Sequence, residues 1–190
     1  MKYLLLLALP ALLLSCASLP SLPPNNANQL DSWHLKGRIA IVTEDDSWTA
    51  NVHWQQQGTD YQLRLNTPLG QGVLLLEGND ISVVMHTANN ETFRAHNPDA
   101  LVAQVLKLEI PVTGLHFWIR GLPSPKTIPT RYVLTKTGYL KSLQQDGWEI
   151  EYGRYLNVDG INLPRKIFLD NNQFQVKIVI SQWNIKNPTL

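Results

Sequence analysis

Apolar and polar residues alternate along most of this chain from Trp33 to Trp183, and turn residues interrupt the alternation at short intervals. A period of two places successive side chains on opposite faces of an extended strand, so the pattern predicts β-sheet with one apolar face. Turn residues at 57–60, 77–80 and 88–90 favour antiparallel hairpins. About eleven strands are expected, over residues 35–42, 48–55, 60–66, 72–76, 81–86, 92–95, 132–135, 138–145, 148–152, 161–169 and 174–183.

Between residues 97 and 123 the apolar pattern changes to the period of a helix. Asn97 precedes Pro98, as a helix cap precedes proline at the first helical position, and Ile110-Pro111 is expected to end this helix. Thr113 is predicted to cap a second helix. Because two apolar helices interrupt a long sheet, we expect the sheet to curl and the helices to cover its open mouth.

The inner faces of the predicted sheet and helices are rich in apolar and aromatic residues. Eight-stranded barrels are filled by side chains and larger ones leave space, so eleven strands favour an apolar cavity; a volume of several hundred cubic ångströms would distinguish it from a filled barrel. A plain packed core is the alternative. In strand 72–76 the residues predicted to point inward are Val73 and Leu75. The predicted cavity and lid residues are Trp54, Leu63, Leu65, Leu101, Val105, Leu115, Trp118, Ile119, Leu122, Trp148, Ile178 and Trp183.

The N-terminus is predicted to direct secretion. Lys2 precedes an apolar run that ends at Ser15-Cys16, so residues 1–15 are interpreted as a signal peptide. Residues 13–16 (LLSC) resemble the lipobox of bacterial lipoproteins, in which the cysteine becomes the first mature residue and carries lipid. The alternative is that Cys16 is a passive residue of a cleaved signal.

The rest of the chain is predicted to divide into a tether and one domain. Residues 16–31 are predicted to form a lipidated N-terminus and flexible tether, and residues 32–190 are predicted to form the folded domain. Ala17 stands where aspartate would resemble an inner-membrane retention signal, which favours the outer membrane.

Charge and motif content argue against several functional classes. The chain has 16 basic and 15 acidic residues, and Lys2 is the one charge of the signal, so the body is neutral and unlike a nucleic-acid binder. Its five histidines are scattered singly, without metal-ligand spacing, and the motifs of nucleophilic catalysis and phosphate binding are missing. We therefore expect no enzymatic activity, no catalytic residues, no metal and no cofactor.

One turn carries a bulky apolar residue where turns are usually polar. In residues 66–72 (NTPLGQG), Pro68 and Gly70 flank Leu69 and push it towards the tip. Beside a membrane tether, Pro68, Leu69 and Gly70 are predicted to form a membrane-insertion loop. The alternative is that Leu69 packs inward as ordinary core.

Six segments carry a resemblance to the LolB family of outer-membrane lipoprotein receptors. They stand in the family's order and spacing between about Trp33 and Trp183, and the most specific is residues 118–123 (WIRGLP). The resemblance implies an incomplete, unclosed antiparallel β-barrel with a helical lid over an apolar cavity. It also implies a short helix before the first strand, for which Pro24 to Leu30 leave little room. The other segments are residues 37–38, 54–56, 66–70, 145–152 and 163–164.

The resemblance further implies a function. A family member accepts lipoproteins from the periplasmic carrier LolA, binds their acyl chains in the cavity and inserts them into the outer membrane. We therefore expect a monomer that is lipid-anchored in the inner leaflet of the outer membrane, faces the periplasm and has the carrier, the cargo and the leaflet as partners. A structural lipoprotein with a filled barrel, which scaffolds outer-membrane proteins, is the alternative; an enzyme acting on lipid ranks third.

Overall fold

The computed structural model describes residues 26–67 and 73–185, which form an antiparallel sheet of eleven strands, two α-helices and one 3₁₀ turn. The helices α1 (Pro98–Leu106) and α2 (Val112–Trp118) follow the sixth strand. No helix within the described residues is long and apolar enough to cross a bilayer. The strands are β1 (Ser32–Val42), β2 (Ser47–Gln57), β3 (Asp60–Asn66), β4 (Val73–Gly78), β5 (Val83–His86), β6 (Thr92–Ala95), β7 (Arg131–Leu134), β8 (Leu140–Gln145), β9 (Trp148–Val158), β10 (Ile161–Asp170) and β11 (Gln175–Ile185).

The sheet is not closed. Its strand order is β6-β5-β4-β3-β2-β1-β11-β10-β9-β8-β7, so β6 and β7 are its two edges. The chain passes from one edge to the other through α1 and α2, and α1 packs against β5 and β6. The predicted unclosed antiparallel barrel of about eleven strands with a helical lid is therefore confirmed.

Of the two residues predicted to point inward from β4, Leu75 points outward, and the side chain of Val73 lies outside what the structure describes. Leu75 lies opposite Arg64 and His86, on the outer face, whereas Leu76 is fully buried and Leu74 packs against the core. Because three leucines follow one another without a polar residue between them, the alternation of apolar and polar residues does not show which of them point inward.

A β-bulge explains the glycine of the Gly37-Arg38 segment. The pairing of β1 with β11 shifts register after Lys36, and the Ser181 hydroxyl donates a 3.0 Å hydrogen bond to the Lys36 carbonyl. A Cβ at Gly37 would overlap the Val179 carbonyl oxygen. Only glycine therefore fits the close approach of the two strands.

Part of the predicted tether is packed against the sheet. Residues Asn26–Gln29 form a single 3₁₀ turn that contacts β10, and both Ala27 and Leu30 are buried. Residues 26–31 are therefore not a free linker. Within the described residues, the segment before β1 holds this one 3₁₀ turn, which Ala27 and Leu30 attach to the barrel.

The first helix begins as predicted, but its end and the start of the second helix differ from the prediction. The Asn97 side chain caps α1 as expected, accepting hydrogen bonds from the N–H groups of Asp99 and Ala100. The helix ends before Ile110-Pro111, however, because Lys107 adopts a left-handed conformation. Thr113 does not cap α2, whose first residue is Val112; its hydroxyl and N–H both donate to the Asp99 carboxylate of α1.

Candidate functional site

An apolar cavity lies between the sheet and the two helices. All of its lining residues are aliphatic or tryptophan, so it offers a ligand dispersion contacts and almost no polar partner. Strands β1 to β4 and β11 form its floor, and both helices with their connection form its roof. The lining residues are Ile39, Ile41, Trp48, Val52, Trp54, Leu63, Leu65, Leu74, Leu76, Val102, Leu106, Leu108, Ile110, Val112, Leu115, Ile119 and Ile178.

Half of the predicted cavity residues line this space. Those that do are Trp54, Leu63, Leu65, Leu115, Ile119 and Ile178. The others, Leu101, Val105, Trp118, Leu122, Trp148 and Trp183, are buried or partly buried elsewhere in the same core. The predictions for Cys16 and for Pro68, Leu69 and Gly70 lie outside the described residues.

Sequence analysis missed the connection between the helices. Leu108 and Ile110 line the cavity although they follow the left-handed residue that ends α1. The apolar pattern places Leu108 on one face of the first helix and predicts that Ile110 ends that helix, whereas both residues lie beyond the helix end in the structure. The accumulation of apolar residues between two helices was the one available signal.

The cavity is much smaller than the several hundred cubic ångströms that would distinguish it from a filled barrel. Its volume is about 60 Å³, whereas pockets for small molecules usually enclose about 300–1,000 Å³. An acyl chain therefore does not fit in this space with the helices placed as they are.

The C-terminal end of α2 is fixed to the sheet by polar contacts. The side-chain amide of Gln145, on β8, is buried and makes four hydrogen bonds. It accepts from Trp118 Nε1 and the Ser124 N–H, and it donates to the carbonyls of Ser124 and Thr127, over 2.8–2.9 Å. The Tyr152 hydroxyl donates a 3.0 Å bond to the Trp118 carbonyl, and burial raises its pKa, so it stays protonated. This end of the lid is firmly anchored.

The segment after α2 also holds the N-terminal turn. Arg120 is buried and donates hydrogen bonds of 3.3 Å to the carbonyls of Ala27 and Leu30 and one of 3.1 Å to the His116 carbonyl. Burial lowers the pKa of Arg120 to about 10, while Asp31 acts in the opposite direction, so the guanidinium is charged at neutral pH. Arg120 therefore joins the lid to the N-terminal turn.

The opposite side of the lid has weaker attachments. Within the described residues, no side chain of α1 hydrogen-bonds to a strand; its polar contact is the Asp99–Thr113 pair, which joins it to α2. Its attachment to β5 and β6 is by packing. The lid is therefore pinned by hydrogen bonds at one end and held by apolar contacts at the other.

An aromatic cluster closes the side of the lid near β1. The ring of Trp33 lies 5.3 Å from that of Trp54, 5.9 Å from that of His116 and 5.6 Å from that of Trp183. Burial, and then the charge of Arg120, lower the pKa of His116 to about 4. The imidazole is therefore neutral at pH 7, and its Nδ1 lies 3.1 Å from Gln56 Oε1, which can accept its proton.

Within the described residues, no group of three or more histidine, cysteine, aspartate or glutamate side chains is placed to hold a metal ion.

Comparison with known proteins gives the family. The family model described as outer membrane lipoprotein LolB matches residues 31–183. An outer-membrane lipoprotein LolB of Ectopseudomonas mendocina is 35% identical over an alignment of 197 residues, and the match covers 96% of this chain and 96% of the relative. The chain belongs to the LolB family. A LolB of a Marinomonas species is 32% identical over 97% of this chain and 98% of its own length.

The LolB-family chain also shares its fold with a solved structure of a LolA superfamily protein from Nitrosomonas europaea. The TM-score is 0.54, the identity is 9%, and the match covers 84% of this chain and 88% of the other. At this identity the likeness shows the fold alone.

The segments on which the resemblance rested have structural roles in this LolB-family fold. Residues 118–123 end the lid and contact Gln145, and Gly121 has a positive φ of 75° where a Cβ would lie 2.9 Å from the Tyr155 hydroxyl. Residues 145–148 form the turn that presents Gln145, with positive φ at Asp146 and Gly147. The Pro164 carbonyl accepts a 2.9 Å bond from Trp183 Nε1. Residues 118–123 and 145–148 therefore fix the end of the lid, and Trp54 and Ile119 of the resembling segments also line the apolar cavity.

Proposed function

We propose that this chain is an outer-membrane-anchored receptor that accepts lipoproteins from the periplasmic carrier LolA and inserts them into the outer membrane. The observation that carries the proposal is the wholly apolar cavity beneath a lid that is pinned at one end only. The curated relatives are named outer-membrane lipoproteins, which supports the same location and a role in lipoprotein localisation without enzymatic activity.

The anchor in this proposal is Cys16, carrying a thioether-linked diacylglycerol and an amide-linked acyl chain. Since residues 26–31 pack on the barrel, the tether comprises residues 17–25. At about 3.1 Å per residue these nine residues reach about 28 Å at most, so the monomeric barrel stays close to the inner leaflet, facing the periplasm. Residues 68–70, which connect β3 to β4, are proposed to enter the leaflet.

Transfer in this proposal follows differences in affinity and needs no cofactor. The lid opens at α1, the acyl chains leave the carrier for the enlarged cavity, and they leave the cavity for the bilayer. Each methylene transferred out of water contributes about 0.8 kcal/mol, so even a short exposure of the acyl chains is unfavourable. Direct passage between apolar sites avoids this cost.

The small cavity volume favours a second candidate function. A barrel filled by its own side chains suits a structural lipoprotein that scaffolds outer-membrane proteins, and a 60 Å³ cavity fits that description while the lid is closed. The two candidates differ in whether the wild-type chain ever takes up an acyl chain.

A transfer assay separates them. Carrier loaded with radiolabelled lipoprotein is mixed with liposomes that hold the mature, lipidated chain, and cargo bound to the chain is captured. We expect the wild type to capture cargo, and Lys141→Ala, an exposed change on β8, to capture the same amount. Leu115→Asp places a carboxylate in the cavity roof, so it should capture about tenfold less cargo. Thermal unfolding controls for stability. Cargo that stays entirely on the carrier with the wild type supports the scaffold instead.

A further inference from the structure

Basic side chains lie together on the outer face of the sheet, and we call this group the basic belt. They occupy three neighbouring rows of cross-strand pairs over β1, β3, β9, β10 and β11, and residues paired in this way share one face. Arg154 pairs with Lys166, and Arg38 lies in the same row, while Leu35 and Ile39 on the inner face are buried. The belt consists of Lys36, Arg38, Arg64, Arg154, Lys166 and Lys177.

The positive charge of the belt is not neutralised by the chain itself. Within the described residues, none of the belt side chains forms an ion pair. The nearest acidic positions on this face are Glu151, which lies opposite Phe168 at the border of the belt, and Glu77 on β4. Burial, and then the charge of Lys36, lower the pKa of His34 beside the belt. A chain with a net charge of +1 therefore concentrates positive charge on one face.

An aromatic side chain lies among these cations. The Nζ atoms of Lys166 and Lys177 are 4.8 Å and 6.0 Å from the centre of the Phe168 ring, which places all three side chains on the outer face. Basic residues bind phosphate, and aromatic residues are enriched at the level of lipid headgroups. The combination is typical of a protein surface that lies on a membrane.

The belt lies between the two segments that the proposed function brings to the leaflet. On one side, β10, which carries Lys166, contacts the 3₁₀ turn Asn26–Gln29, where the tether meets the barrel. On the other side, Arg64 lies two residues before Asn66, the last residue of β3, after which the loop with residues 68–70 begins. The strand order β3-β2-β1-β11-β10 makes the face between them continuous.

We propose that the basic belt docks the barrel on anionic phospholipid headgroups, so that the outer face of the sheet lies along the leaflet. The inference rests on the proposed function and adds an orientation of the barrel to it. Attraction between the belt and the phosphates acts over about one Debye length, roughly 8–10 Å, and the short tether holds the barrel near enough for it. The lid covers the inner face of the sheet and therefore stays accessible to the carrier.

Lysine footprinting tests the belt with the mature, lipidated chain in liposomes. A water-soluble reagent that acylates amines is applied to liposomes of phosphatidylcholine with and without phosphatidylglycerol, and mass spectrometry gives the labelling rate of each lysine. Lys36, Lys166 and Lys177 report on the belt. Lys126 and Lys136 are exposed elsewhere on the chain and serve as internal controls.

We expect phosphatidylglycerol to slow the labelling of the three belt lysines about threefold to tenfold and to leave both control lysines unchanged. Concentrated salt should restore the labelling rates, because it screens the attraction. Arg38→Gln combined with Arg154→Gln removes two belt charges and should reduce the protection at least about twofold. Arg131→Gln, at an exposed arginine of β7 outside the belt, is the matched control and should keep the protection.

Equal labelling in both kinds of liposome, or equal slowing at Lys126 and Lys136, overturns the belt as a lipid-binding surface. Slowing that requires the loaded carrier and not phosphatidylglycerol assigns the face to an acidic protein surface and overturns it as well. Delivery of cargo to the same liposomes is measured in parallel, since the belt can fail while delivery continues. Absence of delivery contradicts the proposed function itself, whatever the labelling pattern. If the double variant unfolds, the labelling rates of the wild type decide.

Discussion

At the residue scale, Gln145 is the side chain on which the end of the lid depends most. Its amide satisfies Trp118 Nε1 and three backbone groups of the segment after α2. Gln145→Leu keeps the volume but leaves those groups buried and unpaired, so we expect the free energy of unfolding to fall by about 2–4 kcal/mol in urea. Gln144→Ala, at the preceding position of β8, is the control and should change the free energy of unfolding by less than about 1 kcal/mol. A comparable loss in both variants contradicts the assignment.

His116 predicts a pH dependence of stability. Its pKa falls from 6.5 to about 4 on folding, because burial and Arg120 disfavour the imidazolium. Between these values the unfolded chain binds a proton that the folded chain does not, so the contribution of His116 to stability is lost as the pH falls from 6.5 to 4. The loss amounts to about 2–3 kcal/mol. His116→Gln should flatten the stability profile over this range relative to wild type; parallel profiles for the two proteins contradict this prediction.

Little of this residue-scale detail could be predicted from sequence. The segments containing Gln145, Arg120 and Gly37 were recognised by resemblance, but their roles depend on contacts between positions far apart in the chain. Within the described residues, Trp54 Nε1 and the Tyr61 hydroxyl are buried without a hydrogen-bond partner, which is a property of three-dimensional packing. Amphipathic alternation identifies which side chains are buried and carries no information on which polar atoms find partners.

At the scale of elements, the link between α1 and α2 controls how the lid opens. Thr113 donates to Asp99 through both its hydroxyl and its N–H. Thr113→Val removes the hydroxyl at nearly constant volume and should weaken the closed lid by about 1 kcal/mol. A hydrocarbon fluorophore should then enter the cavity about threefold to tenfold faster in stopped-flow measurements. Thr113→Ser, which keeps the hydroxyl, should behave as wild type; equal rates in all three proteins contradict a lid that gates the cavity.

The elements themselves were largely predictable, and their exceptions have physical causes. Period-two alternation and hairpin turns located eleven strands, and the Asn97 cap located the start of α1. The inward face of β4 was missed because Leu74, Leu75 and Leu76 do not alternate. The end of α1 was missed because Lys107, rather than the expected Ile110-Pro111, reverses the backbone.

At the scale of the whole molecule, the anchor and the loop between β3 and β4 should act on delivery alone. Leu69→Glu is expected to leave thermal stability and cargo acceptance close to wild type. Insertion into liposomes should slow, because about 1.5–3 kcal/mol of apolar burial in the leaflet is lost. Leu69→Val is the matched control, since it keeps an apolar tip. If Leu69→Glu lowers the melting temperature by several degrees and reduces acceptance and delivery together, Leu69 belongs to the core instead.

The central claim is that acyl chains of cargo enter the apolar cavity beneath the lid, and its most direct test is to map where they lie during transfer. Lipoprotein with a diazirine at the end of one acyl chain is delivered from the carrier to the mature, lipidated chain in liposomes. The sample is irradiated during transfer, and the cross-linked residues are located by mass spectrometry. The account predicts adducts on cavity-lining side chains such as Leu63, Leu76 and Val102, and fewer when Leu115→Asp is present. Cargo that reaches the liposomes while adducts fall only on the outer face of the sheet, or nowhere on the chain, would contradict it.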